Sequence, residues 1–356
     1  MRNSIKTIGL FLLIMVGQPC FGQNPNEKLD QAIKLMDSGK VDESIVLLQE
    51  GRKLEPDRFD YPYEMAYAYY IKGEFAESIK ILEQIENHKS VSDVLFQLLG
   101  NSYDNIKNSK KAIEVYERGL KKFPNSGNLY LELGVMQLDA KDMNVALSYF
   151  DKGIEVAPAF PSNYFWASKI FCKSTEEVWG MIYGEIFMNL ERNSKRTVEI
   201  SKLLFDTYKS EIKFTGENSF SVSFSKNSTV NASDLTNPGA FKLPFGVGVY
   251  EPTLMLSMLS VKTIDIGSLD IIRTNFIDNY FSKGFDKTYP NVLFSYHKQI
   301  KDAGHIEAYN HWILMKGDEA GFGKWLSSNK EKWDNFAKWF TDNRIIINDA
   351  NKFRRM

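Results

Sequence analysis

The sequence has 356 residues and is 43% hydrophobic, 25% charged and 13% aromatic, which is typical of a folded chain of two or three domains and excludes a disordered or collagen-like one. Lys and Arg number 44 against 45 Asp and Glu, so a net charge of -1 argues against a strongly basic nucleic-acid-binding protein. The 2 Cys, Cys20 and Cys172, are too few for a disulfide framework.

Residues 1–22 have the pattern of a secretory signal peptide. Arg2 and Lys6 precede an apolar run from Ile8 to Val16, and small or helix-breaking residues follow as far as Gly22. The apolar run is shorter than the roughly 20 residues that a transmembrane helix needs. We therefore predict that the chain is exported to the periplasm or the extracellular space of a bacterial envelope.

Cys20 leaves a second interpretation open, in which the mature chain begins at a lipid-modified cysteine. The preceding Gly17, Gln18 and Pro19 fit poorly, because a lipoprotein signal has an aliphatic residue and small residues there. Soluble export is the preferred interpretation and a lipid anchor at Cys20 is the alternative. No later segment has the roughly 18 uninterrupted apolar residues of a transmembrane helix, so we expect no transmembrane segment after signal cleavage.

A 34-residue period runs through the first half of the sequence. Pro124 follows Pro56 by twice this period, and Pro158 follows Pro124 by one period. Blocks in this register begin at residues 25, 59, 93 and 127 without an insertion. The third and fourth blocks are the clearest, with Leu99-Gly100, Tyr103, Ala112, Tyr116, Gly119 and Pro124 matched by Leu133-Gly134, Ala146, Phe150, Gly153 and Pro158.

These residues resemble the signature of the tetratricopeptide repeat family, a helix–turn–helix unit of 34 residues. The resemblance covers about residues 25–192 and implies a mainly α fold, a tetratricopeptide-type solenoid of helical hairpins. Region 23–160 would hold four repeats, 25–58, 59–92, 93–126 and 127–160. Gly39 and Gly73 would turn the chain between helices, whereas Lys141 replaces the turn Gly of the fourth block and Ser90 replaces the last Pro of the second.

Region 161–212 is interpreted as a degenerate fifth repeat followed by a capping helix. Ser174 and Glu177 offer a capping box for the second helix of this repeat, but the closing Pro is missing. Residues 195–212 carry an apolar stripe and predict one more helix, which would cover the end of the repeat array.

The resemblance also implies a ligand groove, since the first helix of each repeat lines the concave face in this family. The candidate groove residues are Leu29, Ile33, Met36, Tyr63, Tyr67, Tyr70, Gln97, Asn101, Asp104, Leu131, Val135 and Leu138. Family members that bind a chain-end carboxylate use Lys here, and no Lys or Arg occupies these positions in the four repeats. An apolar, Tyr-rich groove favours a protein partner or an extended or helical peptide with apolar anchors. Alternatively, the tyrosines pack within the solenoid or against the C-terminal half.

Region 213–356 is predicted to be an α-rich domain that resembles no family we recognise. It begins with a small β or irregular connection. Phe220, Val222 and Phe224 alternate with Ser and indicate a short strand. Helices are predicted after a Ser268 cap and after a Ser328–Glu331 capping box.

No intact catalytic or cofactor motif occurs, so we predict a non-enzymatic scaffold without cofactor or metal. The three histidines His297, His305 and His311 are spaced eight and six residues apart. Metal ligands on one helix face are spaced three or four residues apart, so these histidines do not fit that pattern. His305 and Glu307 have the spacing of the zinc deaminase H-x-E motif, but no Cys follows Cys172.

Two alternatives stay open for the C-terminal half. One is an enzyme with a catalytic or metal site near His305 and His311. The other is a glycan-binding accessory protein that uses exposed Trp side chains. The candidates are Trp312, Trp325, Trp333 and Trp339, of which Trp333 lies on an apolar helix stripe and Trp339 lies off it.

Overall fold

The computed structural model describes residues 25–216, 219–227, 229, 243–352 and 355. The predicted signal peptide, residues 1–22, and Cys20 with its possible lipid anchor lie outside the described residues. The predicted fold class is confirmed, because the chain is mainly helical, with paired helical hairpins and one small two-stranded sheet.

Five consecutive helical hairpins fill residues 25–190, and we call the first helix of each hairpin helix A and the second helix B. The pairs are α1 (Pro25–Asp37) with α2 (Val41–Leu54), α3 (Asp60–Ile71) with α4 (Phe75–Ile85), α5 (Asp93–Asn105) with α6 (Ser109–Lys122), α7 (Gly127–Asp139) with α8 (Met143–Val156), and α9 (Pro161–Phe171) with α10 (Glu177–Leu190).

The turns within the first four hairpins share a left-handed residue. Gly39 and Gly73 have φ of 81° and 78°, as predicted from their places in the repeat. Lys107 and Lys141 have φ of 63° at the equivalent positions, so the turn forms there without glycine. The departure at Lys141 therefore leaves the hairpin intact.

Two glycines explain why helix A and helix B approach closely in the third and fourth hairpins. A Cβ at Gly100 would lie 2.1 Å from the Tyr116 ring, and one at Gly134 would lie 2.3 Å from the Phe150 ring. The aromatic residue of helix B thus occupies the space that the glycine of helix A leaves.

The chain divides into two compact units at Val91 and Ser92. In unit one, α2 packs on both α1 and α3, and a small core forms from Met36, Ile45 and Ala68. Unit two contains the remaining three hairpins and everything that follows.

In unit two, α11 (Lys195–Glu211) packs on α9 and α10, as predicted for the helix after the fifth hairpin. The Ser194 side chain accepts the N–H groups of Arg196 and Thr197 and begins this helix. An antiparallel hairpin of β1 (Ile212–Gly216) and β2 (Ser219–Val222) follows, with Phe214 opposite Phe220. The predicted strand is confirmed at Phe220 and Val222, and Phe224 lies just beyond it.

The C-terminal helices share one large apolar core with α8, α9, α10 and α11. After a π-helical turn at Gly246–Tyr250 they are α12 (Glu251–Ser257), α13 (Ile266–Ser282), α14 (Phe285–Thr288), α15 (Val292–Asp302), α16 (Ile306–Leu314), α17 (Glu319–Ser328) and α18 (Lys330–Asp342). None of the helices among the described residues has both the length and the hydrophobicity needed to cross a bilayer.

Three predicted helix caps are wrong. Asp265 rather than Ser268 is the N-cap of α13, and Ser268 sits three residues into a reciprocal capping box. Ser328 ends α17, and Asn329 begins α18 without a side-chain cap. At α10 the N-cap is Glu176 without a side-chain cap, while Ser174 Oγ accepts the Glu176 N–H at 2.9 Å.

Candidate functional site

The helix-A face of unit one carries the predicted tyrosines in three different settings. Tyr63 stacks on Phe59 with ring centroids 5.7 Å apart, and Tyr70 meets the edge of Phe75 at 5.3 Å. Tyr67 is 40% exposed, and its ring and hydroxyl have no recorded partner within the described residues. Tyr67 is therefore the most accessible of the three rings.

The remaining predicted residues of unit one divide by burial. Leu29 and Ile33 on α1 are partly buried. Met36 is only 7% exposed, because it packs with Ile45 and Ala68 in the core of unit one. Met36 is therefore a core residue rather than an accessible groove residue.

In unit two, the predicted polar residues meet a carboxylate that the sequence analysis did not single out. Gln97 Nε2 donates a hydrogen bond to Glu132 Oε1 at 2.7 Å, and the Asn101 side chain also hydrogen-bonds Glu132. Asn101 Oδ1 in turn accepts the Tyr116 hydroxyl. These contacts link helix A of the third hairpin to helix A of the fourth.

Glu132 is partly buried, and burial raises the pKa of its carboxyl despite the hydrogen bonds from Gln97 and Asn101. The negative charge of Asp104 raises this pKa further. Within the described residues no Lys, Arg or His forms an ion pair with Glu132. The site therefore presents a desolvated carboxylate that amide groups hold in place and no cation neutralises.

The apolar predicted residues of unit two lie beside this carboxylate in sequence, on the same helix α7. Leu131, Val135 and Leu138 are partly buried and pack against the core of the unit. Asp104 is also partly buried and accepts the Ser109 hydroxyl at 3.0 Å. We call Gln97, Asn101, Asp104, Leu131, Glu132, Val135 and Leu138 the unit-two face.

Unit one repeats this arrangement in part. Glu64 occupies the sixth place of the second block, as Glu132 does in the fourth. It is partly buried, and burial, followed by the charges of Asp60 and Asp37, raises the pKa of its carboxyl. The 34-residue period relates both glutamates, but the family resemblance implies groove residues at other places of the repeat, such as those of Leu131 and Val135.

The histidines of the alternative enzyme site have separate environments. His311 stacks on Trp325 at 4.1 Å, and its Nδ1 lies 2.8 Å from the Glu307 carbonyl. His305 lies against Trp339 at 5.3 Å. Within the part of the chain that the structure describes, no three His, Cys, Asp or Glu side chains are placed to hold a metal ion.

Glu307 has partners within the chain that make it a structural residue. It accepts hydrogen bonds from Trp325 Nε1 at 2.7 Å and from Lys332 Nζ at 2.5 Å. Burial would raise the pKa of its carboxyl, but these two donors outweigh burial and lower it. The Glu307 carboxylate is therefore held by Trp325 and Lys332 between α16, α17 and α18.

The tryptophans of the glycan-binding alternative pack into the C-terminal helices. Trp312 is 5% exposed, and Trp325, Trp333 and Trp339 are partly buried. Trp333 meets Phe322 at 5.3 Å between α17 and α18. All four side chains are therefore at least partly covered by the chain itself.

A second polar cluster is buried where α10 meets the C-terminal helices. Glu185 on α10 forms an ion pair with Arg273 on α13, its Oε1 lies 2.7 Å from His297 Nε2, and it accepts the Tyr309 hydroxyl at 2.9 Å. The adjoining cavity has a volume of about 20 Å³, which is room for about one water molecule. The Glu185 cluster is therefore enclosed between the helices, and the adjoining cavity has no space for a ligand larger than water.

Comparison with known proteins agrees with the resemblance to tetratricopeptide repeats. A tetratricopeptide repeat family model matches residues 98–164, which include the whole fourth hairpin and parts of the third and fifth. No curated protein sequence matches the chain. Residues 98–164 are thus a tetratricopeptide repeat segment, and this class of repeat is a protein–protein interaction scaffold.

Solved structures with similar folds are tetratricopeptide proteins or contain such arrays. The pilF protein of Pseudomonas aeruginosa is 15% identical over 52% of this chain and 83% of that chain, with a TM-score of 0.44. TTC0263 of Thermus thermophilus, a thermophilic TPR protein, is 12% identical over 51% of this chain and 99% of that chain, with a TM-score of 0.43. MamA of Desulfovibrio magneticus is 20% identical over 38% of this chain and 77% of that chain, with a TM-score of 0.34. At these identities the likeness concerns the fold alone.

Proposed function

We propose that this chain is an exported, non-enzymatic scaffold that binds a segment of a partner protein on the helix-A faces of its repeats. The ligand is an extended or helical peptide segment with apolar anchor residues. Export is proposed from the pattern of residues 1–22, and binding is proposed from the accessible side chains of the helices A.

The observation that carries the proposal is the exposed ring of Tyr67. A tyrosine that is 40% exposed and has no recorded partner within the described residues leaves apolar area and a hydroxyl for a ligand. Ile71, one turn further along α3, is 46% exposed and extends the apolar surface. Tyrosine provides contact area at low entropic cost, which is why it is enriched at binding hot spots.

Paired capture experiments test this role. The full chain and a Tyr67→Ala, Tyr70→Ala variant are used as affinity baits on extracts of the native envelope, with mass spectrometry as the readout. We expect the variant to lose the partner that the wild type retains. Tyr149→Ala, a partly buried ring on helix B of the fourth hairpin, is the matched control and should retain it. Unchanged capture by the double variant would refute groove binding in unit one.

Export is tested separately by N-terminal sequencing of the protein from each cell fraction. We expect a mature chain outside the cytoplasm that begins at Gln23, after cleavage at Gly22. A lipid mass on Cys20 would support the tethered alternative, and recovery of the uncleaved chain in the cytoplasm would refute export.

A further inference from the structure

We infer that the unit-two face selects a partner segment that brings a Lys or Arg side chain to Glu132, next to apolar contacts on α7. The inference rests on the proposed function, because it specifies the chemistry of the ligand that the helix-A surface would bind.

The distribution of charge along the third and fourth hairpins supports a cationic ligand. Helices α5 and α7 together contain four carboxylates and no Lys or Arg. Helix α6, the helix B between them, contains five Lys and Arg residues. The basic side chains of this repeat region therefore lie on helix B or in the turns, at Lys107 and Lys141, and the charged side chains of α5 and α7 are all negative.

The hydrogen bonds to Glu132 leave its charge uncompensated. Gln97 and Asn101 are neutral amides, so they satisfy lone pairs of the carboxylate without supplying a positive charge. Asp104 adds a second negative charge nearby. A partly buried carboxylate in such a setting gains most from an incoming cation, because screening by water is weaker there than at an open surface.

The lysine on helix A of the next hairpin is already engaged. Lys169 on α9, helix A of the next hairpin, lies 2.6 Å from Glu199. Its Nζ also lies 4.9 Å from the ring centroids of both Phe165 and Trp166. The Lys169 charge is therefore already paired with Glu199 and in contact with two aromatic rings.

The aliphatic residues on α7 suit the rest of a basic side chain. Leu131 precedes Glu132 by one residue in the sequence, and Val135 follows it by three residues, which makes Val135 its neighbour on the helix surface. Lys and Arg side chains combine an apolar stem with a charged end, so they can contact both kinds of surface at once.

Unit one repeats the uncompensated carboxylate independently. Glu64 is two 34-residue periods before Glu132, on a helix that contains two carboxylates and no Lys or Arg. No hydrogen bond or ion pair to Glu64 is recorded within the described residues. The recurrence indicates that the charge belongs to the helix-A surface of the repeat.

A peptide selection tests the inference. A random peptide library displayed on phage is selected against the full chain and against its Glu132→Gln variant. We expect wild-type selection to enrich Lys or Arg next to an apolar residue, and selection on Glu132→Gln to keep the apolar preference while losing the basic one. Asp139→Asn, which removes an exposed charge from the end of the same helix, is the matched control and should select the same peptides as the wild type.

The best peptide from the wild-type selection then gives affinities. Replacement of its basic residue by norleucine and the Glu132→Gln change should each weaken binding about tenfold. Both changes together should weaken binding hardly more than either one alone, because they remove the same interaction. Thermal unfolding of Glu132→Gln at or above the wild-type temperature would show that the loss comes from the contact and not from misfolding.

Three results would overturn the inference. Wild-type selection could enrich peptides without basic residues, Glu132→Gln could keep the basic preference, or the two changes could weaken binding independently. If the enriched peptides bind equally well to a Leu131→Asp, Val135→Asp variant, or if no peptide is enriched at all, the proposed binding face of unit two fails as well. These outcomes distinguish failure of the inference about a basic ligand residue from failure of the proposed binding face.

Discussion

Two glutamates of unit two show how differently the chain treats a buried negative charge. Glu185, between α10 and the C-terminal helices, is fully buried and meets Arg273, His297 and Tyr309. Burial alone would raise the pKa of its carboxyl, but the charge of Arg273 and the hydrogen bonds from Arg273 and His297 outweigh burial and hold the pKa well below its usual range. Within the described residues Glu132, on the repeat helix α7, is hydrogen-bonded by the amides of Gln97 and Asn101 and forms no ion pair, and burial raises the pKa of its carboxyl.

The difference separates a glutamate with a structural role from a glutamate that is available to a ligand. All the partners of Glu185 are supplied by the chain, so its ion pair is complete before any ligand arrives. Glu132 lacks a counter-charge within the described residues, so a ligand can supply one. Removing charge should therefore harm folding at Glu185 and harm binding, but not folding, at Glu132.

The largest effect is expected at Arg273. Arg273→Leu leaves the Glu185 carboxylate buried without its cation and should lower the free energy of unfolding by about 3–5 kcal/mol. Denaturant titration of the full chain measures this loss. The double variant Glu185→Leu, Arg273→Leu should recover much of the stability, because neither charge then remains buried alone. A loss below about 1 kcal/mol for Arg273→Leu would contradict the structural role of the cluster.

Acidification should weaken the same cluster in two stages. Burial lowers the pKa of His297 below its usual value, and the nearby Glu185 offsets this only in part. His297 is therefore neutral when folded, so stability is complete above about pH 6.5 and falls as the pH drops toward the lowered folded pKa. Glu185, with its lowered pKa, adds a further loss below about pH 4.5.

Unfolding measured across pH checks this order. A His297→Gln variant should lose the upper stage of the pH dependence and keep the lower one. His305 also has a pKa lowered by burial, so His305→Gln is needed as the parallel control. An unchanged profile in His297→Gln would contradict the assignment.

A smaller effect of opposite sign is expected at Glu132. Its folded pKa is raised, so its contribution to stability is present at low pH and is lost as the pH rises through the folded pKa. Glu132→Gln should consequently increase the free energy of unfolding at neutral pH by about 0.5–1 kcal/mol. Differential scanning calorimetry can detect this rise, and a clear decrease would mean that the carboxylate is a structural residue like Glu185.

The smallest effect is expected at an exposed ion pair. Lys298 and Asp302 lie one turn apart on α15 with 2.8 Å between Nζ and Oδ1, and both side chains are largely exposed. Lys298→Ala should change the free energy of unfolding by no more than about 0.5 kcal/mol. The same denaturant titration provides the baseline against which the Arg273 result is judged.

The repeat half of the fold could be predicted because its contacts are local. Each hairpin is specified by residues within one 34-residue period, such as Gly100 and its partner Tyr116. The helix caps were harder to predict, because Ser268 and Asp265 are both good capping residues and only packing selects between them.

The Glu185 cluster could not be predicted for the opposite reason. Tyr309 follows Glu185 by 124 residues, and no sequence period relates the two. Met36 was assigned to the groove by its place in the repeat, whereas the first hairpin uses that place for its core. Glu132 was missed because the family rule for groove positions omitted its place, although the chain repeats a glutamate there at Glu64.

A structure of the full chain bound to the peptide with the highest affinity from the library would test the central claim most directly. We predict that the peptide lies along the unit-two face, with a Lys or Arg nitrogen within about 4 Å of the Glu132 carboxylate and apolar side chains on Leu131 and Val135. A peptide bound elsewhere, with Glu132 still held only by Gln97 and Asn101, would contradict the account.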